Sequence, residues 1–495
     1  MDCEVVVVGG GIGGLTVAAL LAARGIDVCL LERESRVGGC VTSFDKFGYS
    51  FEPGYGLYGS WQPNEIHARV FSALPVDPPE VRLLEPGYRV RLPDKSEISL
   101  TANQQLFEDN LRAAFPECAD NAISFYRKLE SLGAALKRIL QETPDFLTVS
   151  RSRQTFTLLS EGRIGAQILA ASKDTVLQHL GEVSMRFRRF LDVQLQALAQ
   201  AGTSEVSYLF AALALTAPRG ELFGIRGGAS ALADRLADSI KQSGGKIRLD
   251  TPVLRLSYDS AGNPVGVDLL SGETVTASKA VISNLTLWDT YGKLVGLNRT
   301  PGEVRKELKS LRSWGAYLLY LGLDDDAELP FSSTRVLALT DWQDKQEYDP
   351  ENNQFVFAAA PSWDPRAPDG KRAVTVSFLT DVDAWFTFHT DESELEQQDQ
   401  LMLEACWQRL HAAMPELGSH IEVIDTATPR AFYDQTRRKL GMVGGVIATP
   451  ERFWANKPRY LTSFPNLFII SDTIASGGIT GITHAALALA NRLSR

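Results

Sequence analysis

Cysteine is scarce in this sequence and nowhere paired: five residues in 495, at positions 3, 29, 40, 118 and 406. An odd number at wide spacing, with no Cys-x-x-Cys, argues against a disulfide scaffold and a zinc site and fits a reducing compartment. Histidine is scarce too, and its six positions show no metal-ligand spacing, so no metal is expected. Positive charge runs short: 50 Lys and Arg against 60 Asp and Glu leave a net charge of −10. A general nucleic-acid binder needs a basic face, so no nucleic-acid partner is expected. No apolar run approaches the about 20 residues that span a bilayer. The nearest, 206–218, is short and contains Ser207 and Thr216. Asp2 and Glu4 stand where a signal peptide would carry basic residues. Repeats and low-complexity tracts are missing as well. The expectation is a cytoplasmic chain, with a peripheral membrane contact left open.

What is present is enough apolar residue, 44% against 22% charged, to build a sizeable core. The length suggests two to four domains or one large discontinuous pair. The chain opens on Val5-Val6-Val7-Val8, which runs straight into Gly9-Gly10-Gly11-Ile12-Gly13-Gly14. A helical stretch over 16–24 follows, closed by Gly25, and a second apolar run, Val28-Cys29-Leu30-Leu31, ends on Glu32. Strand, glycine turn, helix, strand, acid is the order a dinucleotide requires. Gly9 permits the tight turn, Gly11 lets the backbone approach a pyrophosphate at a helix N-terminus, and Gly14 lets helix and strand pack closely. Glu32 can accept hydrogen bonds from ribose hydroxyls.

Further along, Gly38-Gly39 and a short alternating strand breaking into a Gly/Pro loop (47–56) complete the first segment. Extended stretches at 82–100 give way to helices. Positions 120–143 carry Ile123, Tyr126, Leu129, Leu132, Leu136, Ile139 and Leu140 at helical spacing. Positions 186–198 carry Phe187, Phe190, Leu191, Leu195 and Leu198, beside Arg186, Arg188 and Arg189. A glycine turn recurs at 224–230, followed by a helix over 231–242, strands at 246–249 and 253–256, a hairpin turn at 261–263 and a buried strand at 280–284. Strands are expected at 316–323 and 373–378, and a helix over 391–410 entered through Asp391. The ending reads as a strand (466–470), Asp472, a loop over 474–480 with Gly481, and a small-residue helix over 482–493.

The ordered set of motifs resembles one family. Gly9-x-Gly11-x-x-Gly14 with Glu32 and Gly38-Gly39 looks like the two-dinucleotide-fold flavoproteins. Gly48-Tyr49-Ser50-Phe51-Glu52-Pro53-Gly54 is similar to the G-[FY]-x-F-[DE]-x-G stretch of phytoene desaturases and carotenoid cis–trans isomerases. Arg226-Gly227-Gly228-Ala229-Ser230-Ala231-Leu232 looks like their P-x-G-G-x-x-x-L segment, and Thr428-Pro429-Arg430 like their T-P-R motif. Asn466-Leu467-Phe468 with Asp472 and Gly477-Gly478 resembles their ending. Two positions depart from the pattern. Ser471 replaces the usual glycine before the aspartate, and Cys40 stands where many relatives of the wider amine-oxidase group carry arginine.

The resemblance implies an α/β fold: a discontinuous Rossmann-like FAD-binding domain (1–75, 220–290, 426–495) with a mixed α+β substrate domain (76–219, 291–425). It implies one bound FAD, an apolar small-molecule substrate of polyene or isoprenoid type, and a quinone or oxygen as electron acceptor where the reaction is a desaturation. Gly11, Ile12 and Gly13 would meet the pyrophosphate and Glu32 the ribose. Arg33, Gly39 and Val41 would line the cofactor beside Gly38, with Gly54 and Tyr55 near the ring edge. Val253 would present its backbone to the adenine and Asp472 would bond the ribityl or pyrophosphate region. Past Gly481, Ile482 and Thr483 at the last helix's N-terminus would face the flavin. No general base is named.

Several side chains carry two readings. His484 is a satisfied helix histidine or a substrate contact, and Cys40 a small buried residue or a thiol beside the cofactor. The stretch 186–190 is a solvated helix face or a membrane contact. Tyr49, Phe51, Tyr55, Tyr58 and Trp61 are core residues or tunnel lining. Two rival functions share the architecture: an oxidase for a small amine or amino acid, and a prenyl-binding escort protein that uses no flavin.

Overall fold

The valine run at the start of the chain becomes the strand Asp2–Val8, in the middle of a seven-stranded sheet. On one side it pairs in parallel with Val28–Leu31, and on the other with Thr274–Ser283, which in turn pairs in parallel with Leu467–Ile469. Lys246–Arg248 extends one edge, and the hairpin Val253–Tyr258 and Pro264–Leu269 forms the other. The computed structural model describes residues 2–325, 334–343, 347–386, 392–454 and 458–495.

The helix after the first glycine turn, Ile12–Ala22, is buried on all sides. That is why it carries no polar face. It packs between two other small-residue helices, Gly228–Gln242 and Gly478–Leu493. Cys3 and Cys29 are buried in the neighbouring strands, as their apolar surroundings suggest. The core of this layer includes Tyr291, Leu294 and Val295, so it runs past the boundary expected at 290.

The second sheet also has seven strands, in the order Ile421–Ala427, Gly315–Asp324, Lys371–Thr380, Gln354–Ala359, Arg335–Leu339, Arg89–Arg91, Glu97–Ser99. It is antiparallel except where Arg335–Leu339 meets Arg89–Arg91. Alternate residues enter different cores: Val336 and Ala338 face one cluster, Leu337 and Leu339 the other. A two-residue period therefore appears in a strand buried on both faces. The first of these clusters takes in Cys406 and Leu410 of the helix Glu392–Ala413. The Asp391 cap expected for that helix lies outside the described residues. The other face carries the helices Ala119–Glu142, Met185–Ala199 and Tyr208–Ala214. The last strand of this sheet runs past the boundary expected at 425. The chain is thus α/β, with a mostly parallel sheet and a mixed second one.

Candidate active site

Three neighbouring parallel strands end together at Val8, Leu31 and Ser283, with Ile469 beside the last. Beyond these carboxyl ends opens a cavity of about 850 Å³, the place where open α/β sheets bind ligands. Most residues singled out from the sequence line it: Gly9, Gly11, Ile12, Gly13, Glu32, Arg33, Gly38, Gly39, Val41, Gly54, Tyr55, Val253, Asp472, Gly481 and Ile482. Gly14 and Thr483 do not. A Cβ on Gly14 would stand 2.3 Å from the Gly9 carbonyl oxygen, so its role is the close helix–strand contact. Thr483 is buried, and its hydroxyl donates to the Ile479 carbonyl at 2.8 Å.

Two helix N-termini converge on this cavity. The first starts at Ile12 after Gly11, and the last at Gly478 after Gly477; neither has a capping side chain. The last helix therefore starts a full turn before the 482 expected, and Ile482 lies inside it. Its Cγ2 would come within 2.7 Å of a Cβ on Gly13, so the two N-termini touch only because residue 13 has no side chain. Unpaired N–H groups and the helix dipoles make such ends attractive to anions. Glu32 faces the same turn. Its Oε2 accepts from the Gly10 N–H at 2.6 Å and its Oε1 from the Glu34 N–H at 2.9 Å, leaving further lone pairs for hydroxyl donors. The cradle fits a pyrophosphate with a ribose beside it.

Sequence reasoning missed the arginine that completes this region. Arg438 reaches Asp472 through two nitrogens, at 3.0 and 3.2 Å, and lies 3.5 Å from Cys40 Sγ. It also donates to the carbonyls of Gly444 at 2.6 Å and Met442 at 2.9 Å. Burial opposes the charge, but Asp472 and Cys40 outweigh it and hold the guanidinium above its ordinary value. Burial pushes the Cys40 thiol up, with Arg438 pulling the other way, so the residue is a poor thiolate. A guanidinium thus stands beside the position where the wider group carries arginine, supplied from a distant segment. The departure at Ser471 is accommodated by a 2.7 Å contact between its hydroxyl and that of Thr473.

The Gly54–Tyr55 loop is held by another unforeseen arginine. Arg335, buried, donates to the Tyr55 carbonyl at 2.5 Å and the Gly56 carbonyl at 3.4 Å. Just before the loop, Glu52 meets Arg366 at 3.2 Å and accepts from the Ala229 N–H at 3.2 Å. Arg366 Nε donates to Asp364 at 2.6 Å, and Asp364 accepts from the Gly227 N–H at 3.0 Å. Two of the sequence motifs are thereby clamped together.

Much of the remaining wall is apolar, with Leu140, Leu147, Phe210, Leu213, Leu222 and Phe453, and one stretch is polar, with Glu65, His67, Lys137, Glu221 and His484. Tyr55 and Tyr58 join the lining, whereas Tyr49 and Phe51 pack in a core with Tyr320. Trp61 is buried against His67. In the stretch 186–190 the aromatic side chains belong to the core, and Arg186 and Arg188 stay partly exposed. Phe187 and Phe190 are fully buried, and Arg189 is buried and paired with Asp192 at 3.1 Å.

A family model for flavin containing amine oxidoreductases matches residues 12–488. The chain is 24% identical to all-trans-retinol 13,14-reductase of Danio rerio, over 98% of its own length and 85% of that protein. It is 22% identical to the chloroplastic prolycopene isomerase of Daucus carota, over 100% of its length and 80% of that protein. A crystal structure of an oxidoreductase from Methanosarcina mazei superposes with a TM-score of 0.64 at 17% identity, covering 99% of this chain and 100% of that one. That likeness shows a common fold.

Proposed function

The chain belongs to the flavin containing amine oxidoreductase family and is an FAD-dependent enzyme, and we propose that it acts on a large apolar polyene or isoprenoid by desaturation, saturation or reduced-flavin cis–trans isomerisation. The observation that carries this reading is the continuity of the cavity: the space bounded by the two helix N-termini is also bounded by Leu140, Leu147, Phe210, Leu213, Leu222 and Phe453. The retinol reductase and prolycopene isomerase relatives support it by name. An amine oxidase that holds its substrate as a cation would need a carboxylate free to pair with it. Glu65 and Glu221, carboxylates in the wall beside this pocket, are both engaged by Lys137. The family match removes the escort reading.

When bound, FAD supplies transfer of hydride or electrons to and from carbon. The chain's part is binding, orientation and exclusion of water. In this reading Gly11 to Gly13 hold the pyrophosphate, Glu32 the ribose and Val253 the adenine. Asp472, held by Arg438, bonds the middle of the cofactor. The last helix would present its N-terminus to the ring, where its positive end would favour negative charge on the reduced form. Apolar side chains shed water from the reacting carbons. The segments 1–75, 220–290 and 426–495 carry the cofactor, and 76–219 supplies most of the apolar wall for the substrate. A desaturation would pass its electrons to a quinone or oxygen, whereas isomerisation needs none removed.

The purified protein should show a flavin spectrum that dithionite bleaches. Incubated with cis and all-trans polyenes, with and without reductant or quinone, it should yield a polyene product by chromatography. Peroxide production from putrescine or benzylamine, with every polyene returned unchanged, would sink the reading.

A lipid-soluble substrate is best collected at a membrane surface. Among the described residues no helix is long and apolar enough to cross one. The helix Arg151–Ser160 leaves Phe156 and Leu159 exposed, at 76% and 62%, with Arg151, Arg153 and Arg163 on it and its neighbour. Apolar tips among basic residues suit an anionic surface. The Phe156→Ser, Leu159→Ser double variant should lose most of its co-sedimentation with phosphatidylglycerol vesicles. Unchanged sedimentation would remove this helix from consideration.

A further inference from the structure

One stretch of the cavity wall is polar and takes no part in holding the dinucleotide. Glu65 and His67 stand at the start of the helix Ile66–Phe71, Lys137 on Ala119–Glu142, and His484 on the last helix; all four line the cavity. The charged members satisfy one another. Lys137 meets Glu65 at 3.2 Å and also pairs with Glu221. The second Glu65 oxygen accepts from the Gln62 N–H at 2.8 Å, and Arg69 donates to the Gln141 carbonyl at 2.6 Å.

Two imidazoles are left over. His484 Nδ1 lies 3.0 Å from the Pro144 carbonyl oxygen. A carbonyl only accepts, so Nδ1 carries the proton and Nε2 is a bare acceptor. His67 is 3% exposed and lies flat against Trp61, with ring centres 4.5 Å apart. Among the described residues neither of its ring nitrogens has a hydrogen-bond partner. Burial, reinforced by His484, pushes His67 down to about 3. Burial pushes His484 down to about 4. Both rings are therefore neutral at ordinary pH. The wall presents one uncharged acceptor at 484 and one uncharged donor and acceptor at 67. A hydroxyl, which donates and accepts, answers both. A carboxylate does not, because Nε2 of His484 has nothing to give it. A pure hydrocarbon would leave buried imidazoles unpaired, at the cost of their desolvation.

We propose that His67 and His484 form a subsite for a hydroxyl group on the apolar substrate, and hence that the enzyme prefers an isoprenoid or polyene alcohol to the matching hydrocarbon. The inference rests on the polyene reading of the cavity and narrows it. It is tested on the flavin-loaded enzyme by quenching of tryptophan fluorescence with three probes: all-trans-retinol, its methyl ether, and the hydrocarbon lacking the oxygen. The alcohol should bind about tenfold tighter than the other two, the value of one well-made hydrogen bond. His67→Phe should bring the ratio near one, and His67→Gln, which keeps a donor and an acceptor, should preserve much of it. Flavin content checks folding in each variant. Equal binding of all three probes by the parent overturns the hydroxyl subsite and leaves the polyene reading standing. Binding of none overturns both. Should His67→Phe not hold flavin, the parent ratio and the His67→Gln ratio decide.

Discussion

An Arg438→Met protein is expected to purify with little or no flavin. The substitution removes the partner of Asp472 and strips the Met442 and Gly444 carbonyls of their donor. Taking one member from a largely buried pair leaves the other charge uncompensated, at a cost of about 3 kcal/mol. Asp472 retains a little exposure to the cavity, which keeps the figure at the low end. The effect on the cofactor should exceed the effect on the fold. Arg438 is a positive charge beside two anion-attracting helix ends, and an unpaired Asp472 would repel a pyrophosphate. Arg438→Lys should retain part of the flavin, because charge survives while the two-pronged geometry is lost. Adding Cys40→Arg to Arg438→Met should restore part of it, since Cys40 Sγ lies 3.5 Å from the guanidinium being replaced. The measurement is the ratio of flavin to protein absorbance. A full complement of FAD in Arg438→Met would show that Asp472 needs no such partner.

Arg366→Leu should have the larger effect on stability. Arg366, Glu52 and Asp364 are all at most 8% exposed in their side chains. Without the guanidinium, two carboxylates remain buried near each other, accepting from the Ala229 and Gly227 N–H groups, and the Arg335 charge nearby offsets only part of the loss. The expected loss is about 4 kcal/mol, or roughly 4 °C of melting temperature for a chain of this length. The network joins the 48–54 motif to the 226–230 motif, so flavin should be lost on heating at the same reduced temperature. Adding Glu52→Gln and Asp364→Asn to Arg366→Leu should recover part of the loss, because it removes the buried charges the arginine had balanced. A melting temperature within a degree or two of the parent would mean that the ions contribute orientation and no stability.

These two arginines explain how the sequence was legible and where it was not. The turn at 9–14, Glu32 and the strands around them were readable because each signal is complete within a few dozen residues. Arg438 reaches Cys40 across 398 positions, and His484 reaches Pro144 across 340, so no local pattern announces either contact. In the Arg186–Phe190 stretch the core stripe was legible, since Phe187 and Phe190 are buried, but Arg189 is buried too because Asp192 and the Trp342 and Gln343 carbonyls receive it. One misreading repeats three times. The helices expected at 16, 231 and 482 start at Ile12, Gly228 and Gly478. In each case glycines taken for a turn belong to the helix's opening turn. Glycine is a poor helix former, and propensity alone assigns it outside. At Gly13 and Gly14 it is retained because a side chain would collide with neighbouring atoms, whereas Gly478 has open space around it and a φ of +57°.

The pairing of strands from opposite ends of the chain bears on how the protein is made. Asp2–Val8 leaves the ribosome well before its parallel partner Thr274–Ser283, and the strand Leu467–Ile469 that pairs with that partner comes later still. Contacts between such distant segments are slow to form and leave strand edges open to other chains meanwhile. The cofactor cradle needs both helix N-termini, and the second belongs to Gly478–Leu493. With the cofactor held as proposed, FAD would be captured only after translation has passed residue 493. Until then the nucleotide-binding half would expose open strand edges, and added flavin during expression should raise the yield of folded protein.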